Sequence, residues 1–448
     1  MRLKKLILAL AILLLTANLA AAKPGVVSET LPNGAKVYVL EDNNSPLVAI
    51  QIWIKTGAVH ESYKTRGMSH FLEHLLFKGT QKRQVGEIDR ELDSIGATNN
   101  AATYYDYTFY QATGASCHFD KMLEIEVDGV LNSALRPEEV EKERKVVIEE
   151  IKMGEDSPYR VMFKSIHKGL FDNLNYAYPV IGYEEVIQNV PRDVIYQYYK
   201  EKYHPKNMSF VIVGNIKPEI AIAKVKDALK NITTEYAPNE WLDSTYESRL
   251  EKPRYEKIAM DTEKSYAAIA YRGVSASSDD APAFEVMSAI LSAGTSSRLN
   301  LLLKEKNKLV ESISCANWNF ASSGAFVAFM IMDLKNFDKA RELFFNEIEN
   351  VKKGAITDEE LIKAKNQIET AFVLAHQNYE GMAEFLGETV TISNIEKYNT
   401  FMDRIKKVKK EDVVACANKY LKPESHLVVV IEPKKAAKKT EVGKLEKK

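Results

Sequence analysis

The chain has 448 residues, 45% of them hydrophobic and 27% charged, a composition ordinary for a soluble protein and a length that allows two or three domains, each with its own core. Its net charge of -1 conceals +3 in the first five residues and +5 from Lys434 to Lys448, so the body stands near -9. That balance excludes the broad basic footprint of a nucleic-acid binder.

The first 22 residues, "MRLKKLILALAILLLTANLAAA", join a basic start to an apolar stretch and end in three alanines. They read as an export signal, with cleavage expected after Ala22. The apolar stretch from Leu6 to about Leu15 is shorter than the ~20 residues a spanning helix needs. No later segment is apolar enough to span a bilayer, so the mature chain is expected to be soluble in the periplasm or outside the cell. Cys117, Cys315 and Cys416 are odd in number and far apart; they read as core residues, with a bridge left open.

Beyond the signal, "AKVYVLED" and "LVAIQIWIKTG" predict strands, and "SHFLEHLLFKGT" predicts a helix. On a helix His70 and His74 lie about 40° apart on one face, where they can share a metal ion. Glu73 lies on that face too, placed to act as a general base. The plainer alternative is a pair of helix histidines satisfied by hydrogen bonds. Zinc usually takes three protein ligands and keeps a fourth position open. A source for the third is the helix "EEVEKERKVVIEEIKMGED", where Glu143, Val146, Val147, Glu150 and Ile151 fall on one stripe. Carboxylates in an apolar stripe are costly to bury unless they meet a cation or a metal. Glu138, Glu139, Glu141 and Glu149 go to a solvated face. Spacing alone does not single out Glu150.

The chain then repeats itself. "PKNMSFVIVGNIKPE" and "PESHLVVVIEPKK" are β-branched strands 218 positions apart, each preceded by a helical pattern that opens at Asp193 or Asp412. A repeat this long marks a duplicated domain. The expected organisation is a signal peptide at 1–22, a first domain at 23–230, a linker at 231–256, a second domain at 257–433 and a Lys-rich tail at 434–448. Both halves mix strands with helices such as "IDRELDSIG" and "DEELIKAKNQIETAFVLAHQ", giving an α+β fold with antiparallel sheets.

"GMSHFLEHLLFKGT" together with "EKERKVVIEE" resembles the inverted-motif zinc peptidases of the pitrilysin and insulinase family (M16), most closely the short-chain branch that includes mitochondrial processing peptidase and bacterial homologues. The resemblance implies one Zn²⁺ per chain held by His70, His74 and Glu150, with Glu73 as catalytic base. Glu150 stands 76 residues after His74, the common family distance, and Glu143 falls where the family has an acidic residue supporting a ligand. "GATNNAATYYDYTFYQAT" resembles the edge strand on which the family pairs extended peptide, with Asn100 and Ala101 at its Asn-Ala pair and Asn100 available to the scissile carbonyl or the peptide backbone. Against this stands a turn asparagine before a Tyr-rich strand.

Aligning "FKGT" with "SAGT" sets Glu285, Ser288 and Ala289 opposite His70, Glu73 and His74, and Ala364 and Ala371 fall opposite Glu143 and Glu150. The second copy thus carries none of the chemistry. Complete family members also have an Arg and, seven residues on, a Tyr in the second half; here Lys304 and Glu311 stand there. Lys lacks the two-pronged grip of Arg, and Glu repels an oxyanion. Arg298 matches a separate position and reads as structural. His60, His118, His167, His204, His376 and His426 fit no ligand spacing.

The reading is an exported zinc endopeptidase acting on peptides or unfolded segments. It forms half of a clam-shell dimer with a zinc-less homologous subunit that supplies the missing Arg and Tyr; a homodimer is the second possibility. The alternative from another class is a non-catalytic scaffold or assembly subunit of the same fold. An HExxH protease is excluded because that motif is absent.

Overall fold

The computed structural model describes residues 25–172, 174–232 and 250–434. The expected export signal, residues 233–249 of the expected linker and the tail from 435 onward lie outside the described residues. Six strands form a first sheet: β1 (Val27–Thr30), β2 (Lys36–Glu41), β3 (Leu47–Ile54), β4 (Thr98–Thr103), β5 (Thr108–Ala115) and β6 (Met208–Gly214). Five form a second: β7 (Arg254–Met260), β8 (Ser265–Arg272), β9 (Ser312–Asn319), β10 (Gly324–Met332) and β11 (His426–Pro433). β7 therefore starts inside the stretch read as linker.

The first sheet runs β1-β2-β6-β3-β5-β4 and the second β7-β11-β8-β10-β9. Without β1 the two orders are the same, so the duplication is visible in the topology. The sheets are mixed rather than antiparallel, because β2 pairs parallel with β6 and β7 parallel with β11. Each closing strand returns after a long helical excursion, the connection a parallel pair requires.

Six helices matter for the site and the packing: α1 (Met68–Leu76), α2 (Pro137–Glu155), α3 (Pro158–Leu170), α4 (Ala281–Ser292), α5 (Asp358–Ala375) and α6 (Tyr379–Ile392). Residues along a strand alternate between faces, and both faces of each sheet are covered. On β3, Val48, Ile50, Ile52 and Ile54 face the first-half core, which includes Phe71, Leu72 and Leu75 of α1. Ala49 and Trp53 face the other way, onto Ala383, Leu386 and Val390 of α6. The second sheet reciprocates: Leu427, Val429 and Ile431 of β11 pack against Met162, Ile166 and Leu170 of α3. Each half thus lends one helix to the other's sheet, which is why these strands read as unbroken apolar runs.

Close approach of the lent helices requires glycine at matching places. A Cβ at Gly169 would lie 2.5 Å from Leu427, and one at Gly387 would lie 2.1 Å from Trp53. These glycines are 218 positions apart, the same offset as the repeated strands.

Three local expectations are corrected. The Tyr-rich stretch, read as one strand, is a hairpin, with Tyr104 N–H donating to Tyr107 O at 2.8 Å between β4 and β5; Asn100 lies on the first of its strands, as the edge-strand reading expects, and not at a turn. Cys117 is exposed and only Cys416 is fully buried, because Cys117 falls on a single 3-10 turn ahead of a helix. Val146 is 49% exposed, since α2 presents a narrower buried face than its stripe suggests. Among the described residues no helix is long and apolar enough to cross a membrane.

Candidate metal centre

α1 begins at Gly67, whose φ of 93° is the left-handed conformation glycine accommodates. The Glu61 carboxylate accepts from Gly67 N–H and Ser69 N–H, both at 2.7 Å, satisfying donors that a helix start leaves unpaired. Burial pushes the Glu61 carboxyl up to about 7. Met68, Phe71, Leu72, Leu75 and Leu76 anchor the helix in the core. Its remaining face carries His70, Glu73 and His74, all partly buried.

The imidazoles of His70 and His74 are 4.8 Å apart at their centroids and inclined by 60°. Opposite them stands α2, on which Glu143 and Glu150 are separated by two turns. Glu150 Oε2 lies 3.6 Å from His70 Nε2 and 3.7 Å from His74 Nε2. The three ligand atoms all fall within 4.8 Å of one another, and among the described residues no other group of three His, Cys, Asp or Glu side chains converges in this way. These separations are too long for hydrogen bonds. They approach the ~3.4 Å edge of a tetrahedron with Zn–N and Zn–O bonds of about 2.0–2.2 Å, so the residues fit a zinc ion.

The surroundings support that fit. Glu143, buried, faces His74 Nδ1 at 3.3 Å through Oε2 and pairs with Lys78 Nζ at 2.9 Å through Oε1. A carboxylate on Nδ1 favours the tautomer that leaves Nε2 free for a metal. Burial, with His74 next, holds His70 down to about 4, so it stays neutral near pH 7. Glu73 accepts from Thr103 Oγ1 at 2.5 Å on Oε2, and burial raises its carboxyl above the usual range. Arg160, on α3, donates from both terminal nitrogens to Glu150 Oε1 at 3.3 Å.

Asn100 and Ala101 lie on β4, which pairs only with β5 and forms the edge of the first sheet. Asn100 Oδ1 accepts from Ala101 N–H at 2.9 Å. Among the described residues the second half has no counterpart centre: Glu285 and Ser288 sit on α4 and Ala364 and Ala371 on α5, and burial raises the Glu285 carboxyl. Arg298 is tied to Glu347 and Glu360 at 2.8 and 2.6 Å, a structural role. Lys304 is exposed and Glu311 pairs with Lys264 at 2.5 Å. His167 is buried, with Nδ1 2.9 Å from Tyr176 O.

Sequence reasoning missed Glu61, Thr103 and Arg160. Arg160 and Thr103 lie on other elements, and no spacing rule links either to the motif. Glu61 had a faint signal, an acid shortly before a Gly-initiated helix.

Two like α+β halves with, among the described residues, a single His, His and Glu centre in the first define a metallopeptidase-type fold. The profile described as "Insulinase (Peptidase family M16)" matches residues 36–184, and "Peptidase M16 inactive domain" matches 189–368. The chain belongs to the M16 peptidase family. It is 30% identical over 356 residues to the "Uncharacterized zinc protease YmxG" of Bacillus subtilis, covering 77% of this chain and 83% of that one. It is 24% identical over 413 residues to the "Probable mitochondrial-processing peptidase subunit beta, mitochondrial" of Arabidopsis thaliana, covering 90% and 78%. Its fold matches that of a protease from Helicobacter pylori with a TM-score of 0.84 at 23% identity, over 92% of this chain and all of the other.

Proposed function

We propose that this chain is the zinc-bearing subunit of an exported endopeptidase that hydrolyses peptides or unfolded segments. The observation carrying the reading is the convergence of His70, His74 and Glu150 within 4.8 Å beside the partly buried Glu73. The relatives named as zinc proteases support zinc as the ion.

Zinc held by His70, His74 and Glu150 would supply Lewis acidity, acidifying a water for attack near neutral pH. The rest falls to the chain's own residues. Glu73, with Oε2 held by Thr103, is the base that takes the water's proton and returns it to the leaving amine. The unpaired edge of β4 offers backbone donors and acceptors to an extended peptide, with Asn100 and Ala101 in the middle of that edge. Pairing through main chain gives affinity that depends little on side chains.

Lys304 and Glu311 stand where the resemblance places the family's Arg and Tyr, and neither replaces their support of an oxyanion. The proposed partner is therefore a zinc-less homologous subunit that supplies them in a clam-shell dimer; a homodimer is the alternative. Residues 1–22 would direct the chain out of the cytoplasm.

Metal analysis and a quenched-peptide assay on wild type and Glu73→Gln, with and without the candidate partner, test this. Zinc retained with cleavage abolished in Glu73→Gln supports the roles given. Unchanged cleavage removes Glu73 from the mechanism, and a wild-type chain that neither holds zinc nor cleaves with any partner returns the scaffold reading.

A further inference from the structure

α3 carries Arg160, Lys164 and Lys168 at four-residue spacing, all exposed. On a helix such residues form one stripe, each member about 6 Å further along the axis. The stripe starts at the metal centre, where Arg160 donates to Glu150 Oε1 at 3.3 Å. Towards its other end His167 stacks on Tyr105 with centroids 4.2 Å apart. Tyr105 follows β4, whose last residue, Thr103, holds Glu73. The helix therefore runs from the candidate ligands to the turn that follows the strand edge proposed to bind peptide.

Arg160 already meets Glu150, and the two lysines beyond it are not taken up by the acids nearest them in sequence. Asp172, the acid nearest in sequence beyond Lys168, is taken by Arg254 at 2.6 Å. Glu155 and Asp156 stand at the opposite end, before the helix begins. Alongside the stripe, Tyr159 and Phe163 are 55% and 42% exposed and lean on Tyr266, Trp318 and Phe329 of the second sheet, giving a partly apolar wall. In an extended peptide, side chains on one face recur every ~6.6–6.8 Å, close to the ~6 Å step of the stripe.

Resting on the peptidase reading above, we propose that α3 is a specificity element that selects peptides with Asp or Glu at alternate positions on one side of the scissile bond. The acid nearest the bond meets Arg160, and the next, two residues on, meets Lys164. Lys168 receives a third.

The test compares quenched peptides of one length in which Glu, Gln or Lys is placed at two alternate positions, scanned along both sides of a fixed scissile bond. Half-exposed charge pairs each change affinity by about threefold. The Glu peptide at one placement should therefore exceed its Gln counterpart by roughly tenfold in kcat/KM, with the Lys peptide lower still. Raising salt to about 0.5 M should remove the preference. Lys164→Glu, which leaves the Arg160–Glu150 contact intact, should lower cleavage of the Glu peptide and raise that of the Lys peptide, with zinc content unchanged. Fluorescence anisotropy of the same peptides on Glu73→Gln gives the preference without turnover, so a dead enzyme and a wrong specificity are distinguishable. No cleavage of any peptide, with Glu peptides still bound tighter, counts against the peptidase reading alone. Equal binding of Glu, Gln and Lys peptides at every placement, or an unchanged ratio in Lys164→Glu, overturns the acidic preference.

Discussion

Gly387→Ala probes the lent helix most directly. The new Cβ would lie 2.1 Å from both Cε2 and Nε1 of Trp53 and 2.6 Å from Cζ2, well inside the ~3.5–4.0 Å at which carbon atoms pack. Either α6 or the indole must move by more than 1 Å, roughly the difference between those distances. Trp53 has no room to yield: it is 1% exposed, stacked on Phe109 at 4.5 Å and bonded through Nε1 to Gln51 Oε1 at 2.9 Å. Overpacking costs about 1–3 kcal/mol, and a rigid ring against a helix backbone belongs at the upper end. Alanine's better helix propensity returns about 1 kcal/mol, so the net loss is about 2 kcal/mol. Urea denaturation followed by fluorescence should show a lower midpoint in the transition that reports the first sheet. Adding Trp53→Leu should recover part of the loss, with a coupling of about 0.5–3 kcal/mol between the sites. A Gly387→Ala protein as stable as wild type, or more so, would refute the packing of α6 on β3.

Four further outcomes are expected. Glu150→Gln should lower zinc affinity by more than a hundredfold in a chelator competition, while secondary structure by circular dichroism stays unchanged. Glu143→Gln, which weakens the support behind His74, should cost about 10–100-fold in the same titration; no change would make Glu143 a bystander. Thr103→Val should reduce kcat about tenfold at unchanged zinc content, since it frees Glu73 from its one side-chain hydrogen bond. Glu126, buried on the helix Phe119–Leu131, is pushed up to about 8 by burial alone. The folded chain therefore keeps a proton that the unfolded chain releases near its ordinary value, and stability should fall as pH rises from about 4.5 to 8. Glu126→Gln should flatten that decline by a few kcal/mol in denaturation at pH 5 and pH 8, and an identical pH dependence in both proteins would count against it.

Legibility varied with how local each signal was. His70, Glu73 and His74 were readable because four-residue spacing sets helix geometry before any packing is known. Glu150 was not: its stripe offered Glu143 and Glu150 alike, and only the family distance chose between them. The structure separates the two by reach, with Glu150 facing both imidazoles through Nε2 and Glu143 standing behind His74 at Nδ1. Asn100 was placed on the edge strand, yet the turn at Tyr104–Tyr107 went unseen because tyrosines are strong strand formers and weak turn markers. The same preference hid the hairpin that puts Thr103 beside Glu73.

By itself the sequence determined which residues share a face: the apolar alternation of each strand and the two histidines on one side of α1. It also carried the duplication, since equal folds leave equal strand patterns 218 positions apart. Only the tertiary structure decided that α3 and α6 cross to each other's sheets, that α2 delivers Glu150 to α1, and that Arg160 grips that carboxylate from a third element. Facing within a helix or strand follows from a short repeat that a few residues set, whereas the meeting of elements far apart in the chain depends on how whole apolar surfaces bury one another.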